Sequence, residues 1–462
     1  MNVPKTIFRQ YDVRGIVGKE LTPGFARALG RAYATMGWER LGRAPVLAVG
    51  RDNRPSGPEL AAAVRQGIAD TGATAVDVGM LPTPALYLAV IALQTDGGLQ
   101  VTGSHNPPEF NGFKMVLGGS SVHGDDILEL WEIITAERWK SGAGSQTADG
   151  SVLGRYRDAI VERHHLARPV RVVIDCGNGV GSLIAVQTVQ ALGAEVTALF
   201  CESDGTFPNH HPDPTVPANL RDLQEAVRRT GAELGIAFDG DADRIGAVDE
   251  NGRILFGDQL LVLFGRDAVR RFGKGIPVIF DVKCSEVLRD ALREAGASPV
   301  MWKTGHSLIK AKMKETGAPI AGEMSGHMFF AGDYYGYDDA LFAAARLLEI
   351  VSREPGGLAR LLADLPETFS TPEIRVDCPD ETKFAVVERA AKHFGGKYPV
   401  DTIDGVRMTF PNGWGLLRSS NTQPILVLRF EATDQPSLDA YQREVMTWLA
   451  GQGVKAEVSA GH

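Results

Sequence analysis

Three carboxylates stand on alternate residues in Asp239-Gly-Asp-Ala-Asp-Arg244, directly after an apolar run. Like charges this close are unstable without a cation, and carboxylate oxygens suit a hard divalent ion, Mg²⁺ above all. A second segment, Val101-Thr-Gly-Ser-His-Asn-Pro-Pro108, supplies a phosphate partner: Ser104 in a tight turn between Gly103 and His105. Glycine lets backbone N–H groups approach an anion, and Lys114 in Asn111-Gly-Phe-Lys114 is placed to neutralise a phosphoryl group. Each segment alone also fits a solvated turn. Together they predict phosphoryl transfer, with Asp239, Asp241, Asp243 and an oxygen of phosphorylated Ser104 around the metal and Arg244 steadying a phosphate. The spacing opens like an EF-hand, but the closing glutamate is missing.

Four further segments carry polar groups after apolar runs. Gly322-Glu-Met-Ser-Gly-His327 offers Glu323 and Ser325 for the hydroxyls of a polyol and His327 as an acid or base. In the loop Lys303-Thr-Gly-His-Ser307, His306 either assists binding or caps. Lys283 follows an apolar strand and is expected in a cleft, bonded to carbonyls. Arg418-Ser-Ser-Asn-Thr-Gln-Pro424 combines one guanidinium fork with short donors, which suits a non-reacting phosphate as well as a polar hairpin. Near the start, Arg14 in Arg9-Gln-Tyr-Asp-Val-Arg-Gly15 is placed to face the phosphorylated serine.

The elements that must position these groups repeat. Val46–Gly50, Val170–Asp175 and Ile276–Asp281 read as buried strands, each followed by a helix whose end is marked by Gly72, Gly193 or Gly296. Second strands follow at Thr74–Val78, Glu195–Leu199 and Ser298–Trp302, and then a third short strand leads into the serine, aspartate or Glu323–His327 loop. Strands alternating with helices predict three related α/β domains with mixed sheets, each offering a loop to one central cleft. Lys140–Gly150 is polar and small, suited to a linker or exposed loop. After Thr371 several strands and two helices predict a smaller C-terminal α+β domain. The expected domains are residues 1–150, 151–253, 254–367 and 368–462, with a hinge near Asp364–Thr371.

Composition narrows the class. The chain has 462 residues, 44% hydrophobic and 23% charged, as in ordinary globular proteins. Its net charge of −9, from 48 basic against 57 acidic residues, argues against non-specific nucleic-acid binding. No apolar run is long enough for a bilayer, and the N-terminus lacks a secretory h-region, so a cytoplasmic protein is expected. Cys176, Cys201, Cys284 and Cys378 are scattered, which disfavours a zinc site or disulfide framework.

Taken in order, Tyr11–Gly15, Thr102–Pro107, Asp239–Arg244, Lys303–Ser307, Gly322–His327 and Arg418–Thr422 resemble the α-D-phosphohexomutases, most closely the bacterial phosphomannomutase/phosphoglucomutase type, over essentially the whole chain. The resemblance implies four domains around a cleft, a phosphoserine at Ser104 and Mg²⁺ at Asp239, Asp241 and Asp243. It further implies reversible conversion of hexose 1-phosphate and hexose 6-phosphate through a hexose 1,6-bisphosphate that turns end for end. Arg14, His105, Lys114 and Arg244 match the phosphoserine surroundings, with Lys114 or His327 as acid or base. Lys283, His306, Glu323, Ser325 and His327 match sugar-facing positions. Arg418, Ser420, Asn421 and Thr422 match the phosphate clamp. A monomer acting on small phosphosugars is implied, with no nucleic-acid or membrane partner. Phosphoglucosamine mutase is the alternative, but Met324 and Ser420–Pro424 favour the mannose/glucose type. A metal-dependent phosphatase and a non-catalytic sugar-phosphate binder are the other classes. Ala242 departs from the glycine common in the family's metal loop, and its methyl is tolerated without strain if its φ is negative.

Overall fold

The computed structural model describes residues 1, 3–421 and 423–454. Three of its four sheets share one construction. In the first, Val46–Arg51 lies between Thr74–Met80 and Gly97–Val101, all parallel, and Phe110–Leu117 returns antiparallel to Gly97–Val101. In the second, Arg171–Asp175 lies between Glu195–Leu199 and Leu234–Phe238, with Ile245–Asp249 returning. In the third, Pro277–Asp281 lies between Ser298–Trp302 and Ile320–Gly322, with Met328–Phe330 returning. The expected repeat is therefore a repeat of topology, and each chemistry-bearing loop is the turn between the third parallel strand and the antiparallel fourth. Gly72, Gly193 and Gly296 follow their helices at positive φ of 85°, 91° and 93°.

The central strands are buried along their length, as sheets covered by helices on both faces require. One face of each sheet packs its own cluster, around Val101, Val173 and Ile279 respectively, while the other faces share a core. Leu86, Tyr156, Ile236, Leu260, Phe280 and Leu347 belong to one continuous apolar cluster running through all three sheets. The helix Ala340–Arg353, buried almost throughout, is its central rod. Asp339 caps that helix by accepting from Phe342 N at 2.9 Å, and also accepts from Tyr156 Oη at 2.7 Å and Tyr334 Oη at 3.0 Å.

The C-terminal sheet is antiparallel throughout, built on Val406–Phe410, Gly413–Ser419 and Ile425–Ala432. Alternating burial along Ile374–Asp377 marks a sheet with one covered face. Helices Asp380–Gly395 and Gln435–Gly451 lie against it over a separate core that includes Val376, Phe394 and Leu428.

One expectation changes. The polar stretch 140–150 is not simply a loop: Ser145–Ala148 pairs in parallel with Thr74–Met80 as the outermost strand of the first sheet. All four of its side chains are exposed, so no apolar pattern marks it. Cys176 and Cys201, distant in sequence, meet with sulfurs 3.2 Å apart because they follow adjacent strands; both remain free thiols. No described helix is long and apolar enough to cross a membrane.

Candidate active site

The serine loop is shaped before any chemistry is added. Ser104 is 1% exposed and has φ of 51°, a left-handed conformation unusual for a residue with a side chain. Its N–H donates to Thr102 Oγ1 at 2.9 Å, and its hydroxyl donates to Asp239 Oδ2 at 2.8 Å, with His105 Nδ1 3.1 Å away. Burial, with Arg244, Arg14 and Lys114 nearby, holds the His105 imidazole well below its usual range, so it is neutral at pH 7. Arg14 donates to Asp12 Oδ2 at 2.6 Å and to Asn106 Oδ1 at 2.7 Å, and so reaches the serine loop from the neighbouring strand.

Asp239, Asp241 and Asp243 are fully buried, and their ligating oxygens lie within 4.8 Å of one another. Asp239 Oδ1 accepts from the backbone N–H of Asp243 and Arg244 at 3.0 and 3.1 Å, which winds the loop. Lys114, opposite Gln100 in the strand register, donates to Asp241 Oδ2 at 2.7 Å and to Asp243 Oδ2. Thr83 Oγ1 donates to Asp241 Oδ2 at 2.5 Å. Burial pushes Asp239 well up, and repulsion from Asp243 and Asp241 adds to it. Burial also opposes charge on Asp241, but Lys114 and its hydrogen bonds hold that carboxyl below its usual range. Burial likewise works against the Lys114 ammonium, yet the three aspartates raise its pKa. Asp241 Oδ1 and Asp243 Oδ1 are buried without a hydrogen-bond partner. An all-oxygen set with two unsatisfied anionic oxygens fits a hard divalent cation such as Mg²⁺.

Ala242 corrects one expectation. Its φ is 58°, not negative, and its methyl is packed in a site only 2% exposed. Left-handed alanine costs about 1–2 kcal/mol. Hydrogen bonds from Ala242 N to Asp239 O at 3.1 Å and from Ala340 N to Ala242 O at 3.3 Å hold it there.

The third loop docks on the second. Arg244 Nε donates to His327 Nε2 at 3.0 Å, so His327 carries its proton on Nδ1, which donates to Asp243 O at 3.1 Å. Asp338 Oδ2 lies 3.3 Å from the same Nδ1. His306 stacks on His327 at 5.7 Å and 29°. It is the first residue of helix His306–Thr316 rather than part of a loop, and burial, reinforced by Lys310, keeps it neutral. Glu323 accepts from Gly305 N at 2.5 Å; burial pushes its carboxyl up against the pull of His327. Ser325 is half-buried in the same turn. Lys283 was expected on carbonyls, but its ammonium lies 3.3 Å from Glu373 and 3.9 Å from Asp281; these carboxylates outweigh burial and raise its pKa.

The Arg418–Gln423 loop reaches the first and third domains. Arg418 donates to Asp404 Oδ2 at 3.0 Å, and Asp404 also accepts from Thr304 N at 3.0 Å. Ser420 Oγ accepts from Gln423 N at 3.1 Å. Lys383 donates to the carbonyls of Ser420 and Gln423 at 2.7 and 2.9 Å. Asn421 donates to Tyr11 Oη at 2.8 Å, and that hydroxyl donates to Thr304 O at 2.8 Å, joining three domains at one point. Thr422 lies outside the described residues. Tyr11, Asp52, Arg54, Asp338, Asp404 and Glu373 were not singled out from sequence. One signal was available: Asp52, Asp175 and Asp281 all stand at the end of the first strand of their repeat. Asp52 Oδ2 accepts from Thr102 Oγ1 and Gly103 N, and Asp281 Oδ1 accepts from Met324 N, so two of them brace the loops.

Three repeated α/β domains and a C-terminal clamp, meeting over a buried serine and an oxygen-lined metal position, have the architecture of phosphohexose mutases. The four segments 5–141, 154–252, 256–369 and 373–447 match, respectively, the alpha/beta/alpha domains I, II and III and the C-terminal domain of phosphoglucomutase/phosphomannomutase, and the chain belongs to this family. It is 48% identical over 439 residues to a phosphomannomutase/phosphoglucomutase of Pseudomonas aeruginosa, covering 95% of this chain and 94% of that one. It is 47% identical over 447 residues to a phosphoglucomutase of Neisseria gonorrhoeae, covering 96% of each. The crystal structure of a phosphoglucomutase/phosphomannomutase family protein from Burkholderia thailandensis superposes with a TM-score of 0.91 at 44% identity, covering 99% of this chain and 100% of that one.

Proposed function

We propose that this protein interconverts hexose 1-phosphates and hexose 6-phosphates of the mannose and glucose series through a phosphorylated Ser104. The observation that carries the reading is the Ser104 hydroxyl, 2.8 Å from Asp239 at the rim of the three-aspartate cluster, with the Gly322–His327 loop held against that cluster through Arg244 and His327. Asp239, Asp241, Asp243 and an oxygen on Ser104 would hold Mg²⁺, which when bound draws charge from the phosphoryl group.

The chain's own groups supply the rest. Phosphoserine passes its phosphoryl group to O6 of a hexose 1-phosphate; the resulting hexose 1,6-bisphosphate reverses, and Ser104 takes the phosphoryl group from O1. The two transfers conserve phosphate, and the bisphosphate also serves as activator. Lys114, Arg14 and Arg244 balance phosphoryl charge around Ser104. Neutral His105 faces the serine oxygen. His327, oriented through Nδ1 by Asp338 and the Asp243 carbonyl, would exchange a proton with the sugar hydroxyl through Nε2 once the Arg244 bond there opens, with Lys114 as the other candidate. Glu323 and Ser325 grip sugar hydroxyls, with Lys283 and His306 beside them. Arg418, Ser420, Asn421 and Thr422 hold the phosphate that is not reacting. We also place the domains at 1–150, 151–253, 254–367 and 368–462, in a cytoplasmic monomer.

The test compares mannose 1-phosphate, glucose 1-phosphate and glucosamine 1-phosphate with Mg²⁺ and a trace of hexose 1,6-bisphosphate. Comparable kcat/KM on the first two and little on the third is the expected result; dominance of the third would move the protein to phosphoglucosamine chemistry. Ser104→Ala is expected to lower turnover by several orders of magnitude with the fold intact. Net release of inorganic phosphate at the isomerisation rate would instead identify a phosphatase.

A further inference from the structure

We propose that Arg54 is the positioning residue that holds Ser104 in its reactive conformation, an inference that rests on the function just described. Arg54 is 0% exposed, and it touches Ser104 only through that residue's backbone carbonyl, not through the hydroxyl assigned to the chemistry. Its guanidinium instead gathers the carbonyls of the serine loop. Nη2 donates to Ser104 O at 2.8 Å and Asn106 O at 2.6 Å, and Nη1 donates to Pro107 O at 2.7 Å and Phe110 O at 2.9 Å. Four carbonyls converging on one planar cation leave the loop little freedom to rotate. The planar fork is what allows one side chain to satisfy them all.

This grip accounts for the left-handed backbone at Ser104. With its carbonyl drawn inward to Arg54 and its N–H held by Thr102, residue 104 is fixed on both sides, at φ of 51°. Strain of this kind persists only where surroundings over-determine the conformation. Gly103 is part of the same arrangement, since a Cβ there would overlap the Arg54 guanidinium. Asp52 closes the unit, lying 3.3 Å from Arg54 Nε and accepting from Thr102 Oγ1 at 2.8 Å and Gly103 N at 3.1 Å.

The same unit is registered against the domain that carries the aspartates. Asn53 Nδ2 donates to Asn178 O at 2.7 Å and Ser203 Oγ at 3.0 Å. The Arg54 guanidinium lies 5.2 Å from the Phe207 ring centroid, and a Cβ on Gly205 would strike the Asn53 backbone. Arg54 therefore ties the serine loop to the second domain, and the Ser104–Asp239 approach depends on that tie.

The test uses Arg54→Lys, which keeps a charge but loses the four-way fork, and Gly103→Ala, which keeps Arg54 but displaces its head. Both are assayed as full-length protein well below their melting temperatures, with intact-mass measurement of phosphate transfer from glucose 1,6-bisphosphate to Ser104. The expected result is kcat lower by roughly 10²-fold and slow phosphorylation of Ser104, with KM within about threefold because the sugar and clamp loops are untouched. A role confined to folding would lower melting temperature while leaving kcat per phosphorylated Ser104 at the wild-type value, and that result in either folded variant overturns the proposal. Wild type is run in parallel. Absence of interconversion by wild type sinks the functional reading alone; a crystal structure of Arg54→Lys then decides the positioning claim, which fails if Ser104 keeps its left-handed φ and its contact with Asp239.

Discussion

One apolar cluster joins Leu86, Tyr156, Phe280 and Leu347 across the first three domains, whereas the C-terminal domain closes its own core around Val376, Phe394 and Leu428. The contact between these two parts is of another kind. Its apolar share is small, centred on Val282, Trp414 and Leu416. Around it Arg407 lies over the Trp414 ring at 3.7 Å and donates to the carbonyls of Val282 and Cys284, Arg429 reaches the Lys283 carbonyl and Asp258, and Ser285 donates to Glu431 at 2.8 Å. Water can replace most of these polar partners, while it cannot replace a shared core. The serine and the aspartates therefore sit in domains joined by a shared core, whereas the Arg418–Gln423 loop sits on a domain with its own core. Under the proposed function, an intermediate that reverses end for end would use that division through movement about Asp364–Thr371, and unchanged domain angles in free and ligand-bound crystals would rule this out.

The largest break in this contrast comes from the cores. Leu347→Ala should cost about 2–5 kcal/mol and shift the unfolding of all three leading domains together. Leu428→Ala should cost a similar amount but move only the C-terminal transition. Urea unfolding followed by hydrogen exchange separates the two, and Leu347→Ala acting on one domain alone would refute the shared core.

A second contrast concerns kinetics. Lys114→Met should lower kcat by roughly 10²-fold or more, because the cation beside the reacting phosphoryl group is lost. Arg418→Ala should appear mainly in KM, raised roughly tenfold to a hundredfold, as for a lost charge-assisted contact of about 1.5–3 kcal/mol. Equal effects on kcat from both variants would remove the distinction between the shared-core domains and the clamp.

Smallest, and opposite in sign, are the pH effects. Burial pushes Asp339 in the shared core up from 3.8 to about 7, despite its hydrogen-bond donors. The native state thus holds this proton more tightly than the unfolded chain, and the stability it contributes is complete below 3.8 and lost as pH rises through about 7. Glu373, at the seam, is brought down from 4.5 to about 2, because Lys283 outweighs burial. Its contribution is present above 4.5 and lost as pH falls through about 2. The shared-core domains should therefore lose stability between about pH 4 and 7, and Asp339→Asn should flatten that slope. Docking of the C-terminal domain, followed by small-angle scattering, should loosen in acid, and less steeply in Glu373→Gln. A gain in the stability of the shared-core domains toward about pH 7 would reverse the assignment for Asp339.

Much of this was legible in the sequence for a specific reason. Strands buried on both faces announce themselves as apolar runs, and turns that bind ions must be rich in Gly, Asp and Ser, so Asp239–Arg244 and Thr102–Asn106 stood out. Arg54 did not, because nothing in Arg51-Asp-Asn-Arg54 distinguishes a cation that will be buried among carbonyls from one facing water. Tyr11 and Asp338 were hidden for the same reason: their partners come from other domains, and convergence in space leaves no mark in local spacing. Lys283 was expected on carbonyls, but its partner Glu373 lies across the domain seam.

The outer strand Ser145–Ala148 carries a consequence for life at high protein concentration. A sheet edge is a template on which a further strand can add, and the largest sheet of this molecule ends here. Its side chains, from Ser, Gln, Thr and Ala, offer a neighbouring copy almost no apolar surface to dock against. The composition that made this stretch look like a loop is thus what discourages the sheet from continuing into another molecule.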